Sequence, residues 1–144
     1  MPAFETPEEM QKVLSKMAEL LQSDVAVLHA SKGKNFTISY EFPDLDIFFY
    51  TNLLDGNVEA GLGELEDADI QLTMDSDIFD GMFTGKVNAA KAAMKGDLAF
   101  SGNVASAMRL QGLMDDFKRI YLQAKGEALR QSSGQALRQS SGQA

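Results

Sequence analysis

The period of the apolar residues changes twice along this chain, and those two changes limit the fold more than any single motif. At the N-terminal end the spacing is helical. Met10, Val13, Leu14, Met17, Leu20 and Leu21 recur with Gln11, Lys12, Ser15, Lys16 and Glu19 between them. Thr6-Pro7-Glu8-Glu9 supplies a cap, a proline suited to the first turn and a returning carboxylate, so a helix is predicted to end near Gln22. From Asn35 the period becomes two. Phe36, Ile38, Tyr40 and Phe42 alternate with polar neighbours, Pro43-Asp44 interrupts, and residues 46–51 resume. Asp55-Gly56 is a turn signal, followed by alternation at Val58, Ala60 and Leu62 and again at Ile70, Leu72 and Met74. Four short strands in a row predict an antiparallel meander.

After Met74 the helical period returns. Asp75 or Ser76 is expected to cap a short helix carrying Ile78, Phe79, Met82 and Phe83, closed by Gly85. An alanine-rich helix near Ala89 to Met94 follows, then a glycine-bounded fifth strand between Gly96 and Gly102. Asn103 is expected to cap one long helix with the stripe Ala107, Leu110, Met114, Phe117 and Tyr121. The octapeptide ALRQSSGQ at 128–135 repeats at 136–143, so residues 1–126 read as one domain and 127–144 as a solvated tail or a helix extension. At 144 residues, a core is affordable without staples.

Charge is distributed unevenly. No Lys or Arg occurs between Asn35 and Gly85, where Glu41, Asp44, Asp46, Asp55, Glu59, Glu64, Glu66, Asp67, Asp69, Asp75, Asp77 and Asp80 lie. From Lys86 to Lys125 the cations Lys86, Lys91, Lys95, Arg109, Lys118, Arg119 and Lys125 outnumber Asp97, Asp115 and Asp116. Either these are ordinary solvated faces, or the basic segment meets an anionic headgroup while the acidic strands face water. The net charge of −8 argues against nucleic acid.

Catalytic and metal signatures fail on spacing. Gly81 to Lys86 has three residues between its glycines where a phosphate loop needs four, and Val87 replaces the hydroxyl that holds magnesium. Asp75-Ser76-Asp77 leads into a poor calcium loop, with Phe79 at a ligand position and Lys86 where the bidentate Glu belongs. The chain has no Cys, and His29 is its sole histidine, expected in a structural or surface role. No metal, cofactor or catalytic residue is assigned. The acidic N-terminus does not read as a signal peptide, and a cytoplasmic protein with at most transient membrane contact is expected. Met and Phe are abundant in the helices, either as core or as an adaptable binding surface.

The run ADIQLTMDSDIFDGMFTGKVNAAKAAMKGDLAFSGNVASAMRLQGLM, from Ala68 to Met114, resembles the sterol carrier protein 2 family. A polar-apolar strand precedes D-S-D, then come T-G-K-x-N with an alanine-rich helix, G-x-L-x-x-x-G-N and a helix with A-M-R-L-Q. In element order the resemblance extends from Thr6 to about Leu122. It implies an α+β fold: a twisted, mainly antiparallel five-stranded sheet, helices on one face and an apolar tunnel between them. It also implies non-enzymatic binding or transfer of a fatty acid, fatty acyl-CoA, sterol or other hydrophobic small molecule. By position, Phe79, Met82, Phe83, Met94, Phe100, Met108, Gln111 and Met114 would contact the ligand. Gln111 is either a polar contact in that tunnel or a surface residue. Lys86, Lys91, Lys95 and Arg109, with Lys118 and Arg119 nearby, would attract a carboxylate or CoA phosphate. The alternatives are an accessory domain presenting a hydrophobic substrate to a partner enzyme, or an enzyme acting on a bound lipid. Ala89 departs from the proline that often follows the Asn, and Asp97 from the usual lysine. The family's peroxisomal Ser-Lys-Leu ending is missing.

Overall fold

The computed structural model describes residues 3–140, with side chains for residues 3–129. Helix α1 spans Pro7–Ser23, and the Glu9 N–H donates to Thr6 Oγ1 at 3.1 Å, as the capping sequence predicts. Its inward stripe, Met10, Val13, Leu14, Met17, Ala18 and Leu21, is buried against the sheet and the C-terminal helix. At roughly 1.5–3 kcal/mol for each large side chain, this stripe is a main source of hydrophobic stabilisation. Asp24 both ends α1 and starts α2 (Val25–Ala30), a helix the sequence reading did not separate. The Asp24 N–H donates to the Leu20 carbonyl at 2.8 Å, and its carboxylate accepts from the Val27 N–H at 3.0 Å. His29 is exposed near the end of α2.

The strands are β1 (Asn35–Phe42), β2 (Ile47–Leu54), β3 (Val58–Leu62), β4 (Ile70–Met74) and, later, β5 (Leu98–Gly102). Their spatial order is β3-β2-β1-β4-β5. The first three form an antiparallel meander. Asp55 (φ 45°) and Gly56 (φ 92°) take the left-handed conformations that close a two-residue hairpin. β4 does not extend that meander. It crosses to the far side of β1 and pairs with it in parallel, from Ile38 opposite Ile70 to Glu41 opposite Thr73. The sheet is therefore mixed, with three antiparallel pairs and one parallel pair. Period-two alternation is the same for both pairings, so the sequence pattern could not tell them apart. Asp69 secures the crossover: its carboxylate accepts from the Thr37 N–H, and its own N–H donates to Thr37 Oγ1, each at 3.0 Å.

Helix α3 spans Ser76–Phe83. The predicted local cap is replaced by a distant one. Asp44, in the turn after β1, accepts from the Ser76 N–H at 2.9 Å and the Ser76 hydroxyl at 2.6 Å. Helix α4 (Ala89–Lys95) is capped by Asn88 and closed by Gly96 at φ 84°. Asn103 caps the next helix as expected, its side chain accepting from the Ser106 N–H at 3.1 Å. The single long helix, however, is two: α5 (Val104–Gln111) and α6 (Met114–Ser140). Between them the Gly112 and Leu113 N–H groups bond to carbonyls only three residues back, at 3.2 and 2.9 Å. This tight turn at a weak helix former interrupts the ladder while keeping both Leu110 and Leu113 buried. Asp115 and Asp116 in the first turn of α6 suit its dipole. α6 carries the first ALRQSSGQ copy and part of the second, while residues 141–144 lie outside the described residues. Among the described residues no helix is long and apolar enough to cross a membrane.

Candidate functional site

The two phenylalanines of α3 sit one helical turn apart and turn to the same side, so both enter the layer between sheet and helices. Phe79 stacks on Phe83 with centroids 4.4 Å apart and meets Phe42 at 5.0 Å, Tyr121 at 5.3 Å and Tyr40 at 6.1 Å. Phe79, Met82 and Phe83 are all buried. Where the resemblance implies a tunnel floor, rings pack against rings.

Asp80, between those side chains in sequence, is also buried and points to α6. The Tyr121 hydroxyl and the Lys125 ammonium each donate to its Oδ1 at 2.6 Å. The Phe4 ring lies 5.5 Å from the same ammonium. Burial, followed by the adjacent Asp80 carboxylate, raises the Tyr121 hydroxyl far above the ordinary phenol range. This three-residue lock ties α3 to α6. Sequence reading left Asp80 among the solvated acids because its partners lie more than forty positions away.

The rest of the expected ligand set lies elsewhere and is open to solvent. Met94 is 87% exposed, Phe100 44% and Met108 68%, and Val104 beside them is 71% exposed. These are four of the eight large hydrophobics exposed among the described residues, all within a stretch of fifteen. Phe100 pairs with Leu72, which pairs with Tyr40, so Phe100 faces the helical layer and yet is incompletely covered. On α5 the positions 104, 108 and 111 share a face, which places Gln111 on the exposed side with Val104 and Met108. Ser106, Leu110 and Leu113 turn inward. Neither α5 nor its neighbourhood is extensively packed on another helix. Val104 was missed by the sequence reading, although its spacing of four from Met108 was visible.

Half-buried Met114 lines a different part of the site. With Met82, Val87, Ala89, Lys86 and Lys118 it forms an open groove of about 360 Å³ at the α3–α4 connection. The structure thus brings together Met82, Lys86 and Met114 at this groove. Lys86, Lys91, Lys95, Arg109 and Lys118 form no ion pair among the described residues. Arg119 differs: it grips Asp24 with two hydrogen bonds of 3.1 and 2.9 Å and also reaches Asp116. That guanidinium holds the Asp24 carboxyl below its ordinary value against the opposing effect of burial. Arg119 is therefore a structural cation.

Known proteins share parts of this architecture. A 61-residue stretch, 42% of the chain, is 44% identical to hydroxysteroid dehydrogenase-like protein 2 of Homo sapiens, of which it covers 14%. A stretch of equal length is 41% identical to a fatty acid-binding protein of Yarrowia lipolytica, covering 47% of it. The chain thus spans less than half the length of these relatives. Among solved structures, sterol carrier protein 2 from Yarrowia lipolytica in its apo form superposes with a TM-score of 0.58 at 25% identity. That match covers 76% of this chain and 89% of the other. Residues 14–115 match the SCP-2 sterol transfer family, the greater part of the chain, and the chain belongs to that family.

Proposed function

We propose that this protein binds a fatty acid or another long apolar molecule without covalent chemistry and carries it through the cytoplasm. The observation that carries this reading is the exposed apolar edge of α4, β5 and α5, beside five cations that form no ion pair among the described residues. Half of the large hydrophobics exposed among the described residues fall on these three consecutive elements, and concentrations of exposed apolar side chains mark binding surfaces. An acyl chain entering over Phe100 and under lightly packed α5 would bury about a dozen methylenes at about 0.8 kcal/mol each. That gross gain of about 10 kcal/mol exceeds the roughly 8 kcal/mol that micromolar binding requires, before the lost freedom of both partners and the headgroup contacts are counted. The carboxylate of the same ligand would meet Lys86 and Lys118 at the mouth of the groove, or Lys91, Lys95 and Arg109 beyond it. Gln111, on the α5 face with Met108, would give a polar contact to a ligand oxygen.

Native mass spectrometry together with displacement of a fluorophore-labelled C16 fatty acid tests this reading. The wild type is expected to bind at micromolar concentration and to release the lipid chemically intact. Phe100→Asp and Met108→Asp are expected to weaken binding at least tenfold. Met108→Asp should change the melting temperature little because its side chain is largely exposed, whereas Phe100→Asp, at a ring more than half covered, should also lower it. Failure of any apolar probe to bind, or unchanged binding by both variants, sinks the proposal.

A second reading has its own support. The relative of 44% identity shares with this chain only a short part of its length and is named as dehydrogenase-like. In that reading this chain presents a hydrophobic substrate to a partner enzyme, and the exposed apolar edge is where the substrate changes hands. Co-purification of a dehydrogenase with the chain, lost in Phe100→Asp, would favour it over free transport.

A further inference from the structure

We infer that Met94 and Met108 form a peroxide-sensitive pair that switches off binding at the apolar edge when oxidised. The inference rests on the acyl-binding reading above and adds a mode of control to it. It starts from the unequal exposure of chemically identical side chains. Met94 and Met108 are 87% and 68% exposed. Met10, Met17, Met74 and Met82 are buried, and Met114 is half-buried. Among the described methionines, an oxidant in solution therefore meets these two thioethers first. Both are among the four exposed large hydrophobics between residues 94 and 108 on which the acyl-binding reading rests, Met94 on α4 and Met108 on α5. Leu or Ile there would give a similar apolar surface without the reactive sulfur.

In the chemical step the thioether lone pair attacks one oxygen of a hydroperoxide. The O–O bond breaks, an S–O bond forms, and the departing hydroxide takes a proton to leave as water. Sulfur loses two electrons and the peroxide gains them. A thiol-dependent methionine sulfoxide reductase reverses the change, its two thiols becoming a disulfide as the oxygen leaves as water. A flexible apolar side chain becomes a strongly polar one. Covering a sulfoxide with hydrocarbon leaves its oxygen without a partner, and that penalty corresponds to roughly a tenfold loss of affinity for each. Because both side chains lie outside the core, the fold is not disturbed.

The test uses the full chain, hydrogen peroxide and the fluorophore-labelled C16 fatty acid as probe. Peptide mass mapping is expected to find oxygen on Met94 and Met108 well before the four buried methionines. At that point binding falls about a hundredfold, the melting temperature is unchanged, and reductase treatment restores affinity. The double variant Met94→Leu/Met108→Leu, whatever its starting affinity for the probe, is expected to keep that affinity through the same treatment. Unchanged binding by wild type with both residues oxidised overturns the inference while leaving acyl binding intact. Equal sensitivity of the double leucine variant also overturns it. Absence of probe binding before any peroxide is added refutes the acyl-binding reading and, with it, the switch.

Discussion

Replacing Lys125 by Met should destabilise the fold sharply, because it strips the cation from a carboxylate that has no other charged partner among the described residues. The methionine keeps most of the aliphatic stem but loses the ammonium and, with it, the cation–ring contact to Phe4. Asp80 is 8% exposed and accepts from both Lys125 and Tyr121 on one oxygen, each at 2.6 Å. Without the lysine one phenolic donor remains for a buried negative charge. Breaking a fully buried pair costs about 3–5 kcal/mol. The Lys125 side chain keeps 23% of its exposure and that of Asp80 11%, so partial solvation lowers the expectation to about 2–4 kcal/mol. Against a typical total of about 5–15 kcal/mol this is a large fraction. For a chain of this size it is a fall in melting temperature of roughly 8–15 °C. Thermal and urea unfolding of the wild type, Lys125→Met, Asp80→Asn and the double variant measure it. The double variant should be less destabilised than the sum of the two single changes by at least about 1 kcal/mol, since removing both charges leaves nothing stranded. A loss below about 1 kcal/mol in Lys125→Met, or additive single changes, would falsify the claim that α3 is locked to α6 through this charge.

Three further outcomes are expected. Gly102→Ala should cost about 2–3 kcal/mol in urea unfolding, since φ is 134° and a Cβ there would run into the Asp69 carbonyl oxygen and lie 2.9 Å from Ile70 Cα. Gly33→Ala, at φ 76° but facing open space, is the control and should lose much less. Charge reversal at Lys91 and Lys95 should weaken acyl-CoA more than neutral lipid, and equal losses would remove those lysines from the headgroup site. Arg119→Gln should lower stability by at most about 1 kcal/mol, because the pair is partly exposed. The sign with pH follows from Asp24, whose folded carboxyl titrates below the 3.8 of a free one. Its contribution is complete above that value and disappears as pH falls through the lower folded value. The gap between wild type and variant should hold from about pH 7 to 5 and close below about pH 4. A gap that widens in acid contradicts the assignment.

What the sequence made legible follows from the range over which each interaction acts. Caps act within three residues, so Thr6 and Asn103 were readable as helix starts, and each accepts from the N–H three positions on. Asp44 capping α3 from thirty-two residues away left no local trace, and Asp75 beside that helix was the misleading local candidate. Alternation gave every strand but no partner, so β4 was placed beside β3 when its parallel partner is β1. The stripe through Leu110, Met114, Phe117 and Tyr121 was a helical pattern on both sides of Gly112, and one tight turn does not break the count. For the site, the apolar residue types were legible but their exposure was not. Phe79 and Phe100 are the same residue in comparable strings, and only the layer above them decides that one is sealed and the other open.

That difference in covering divides the molecule by stability as well as by chemistry. The sheet, α1 and α6 hold the large buried side chains, and the Asp80 lock extends that rigid part through α3 up to Phe83. Beyond Phe83 the chain changes character: α4 has seven residues and α5 eight, and α5 buries only Ser106 and Leu110 among its own residues. Short helices with little burial have no cooperative reserve of their own and belong to the low-stability end of a fold. The proposed binding of an acyl chain would use that placement. An apolar ligand can insert only where helices can give way, and Met94, Phe100, Val104 and Met108 gain cover only when something apolar arrives. The break at Gly112 separates α5 from α6 and from the lock that α6 carries.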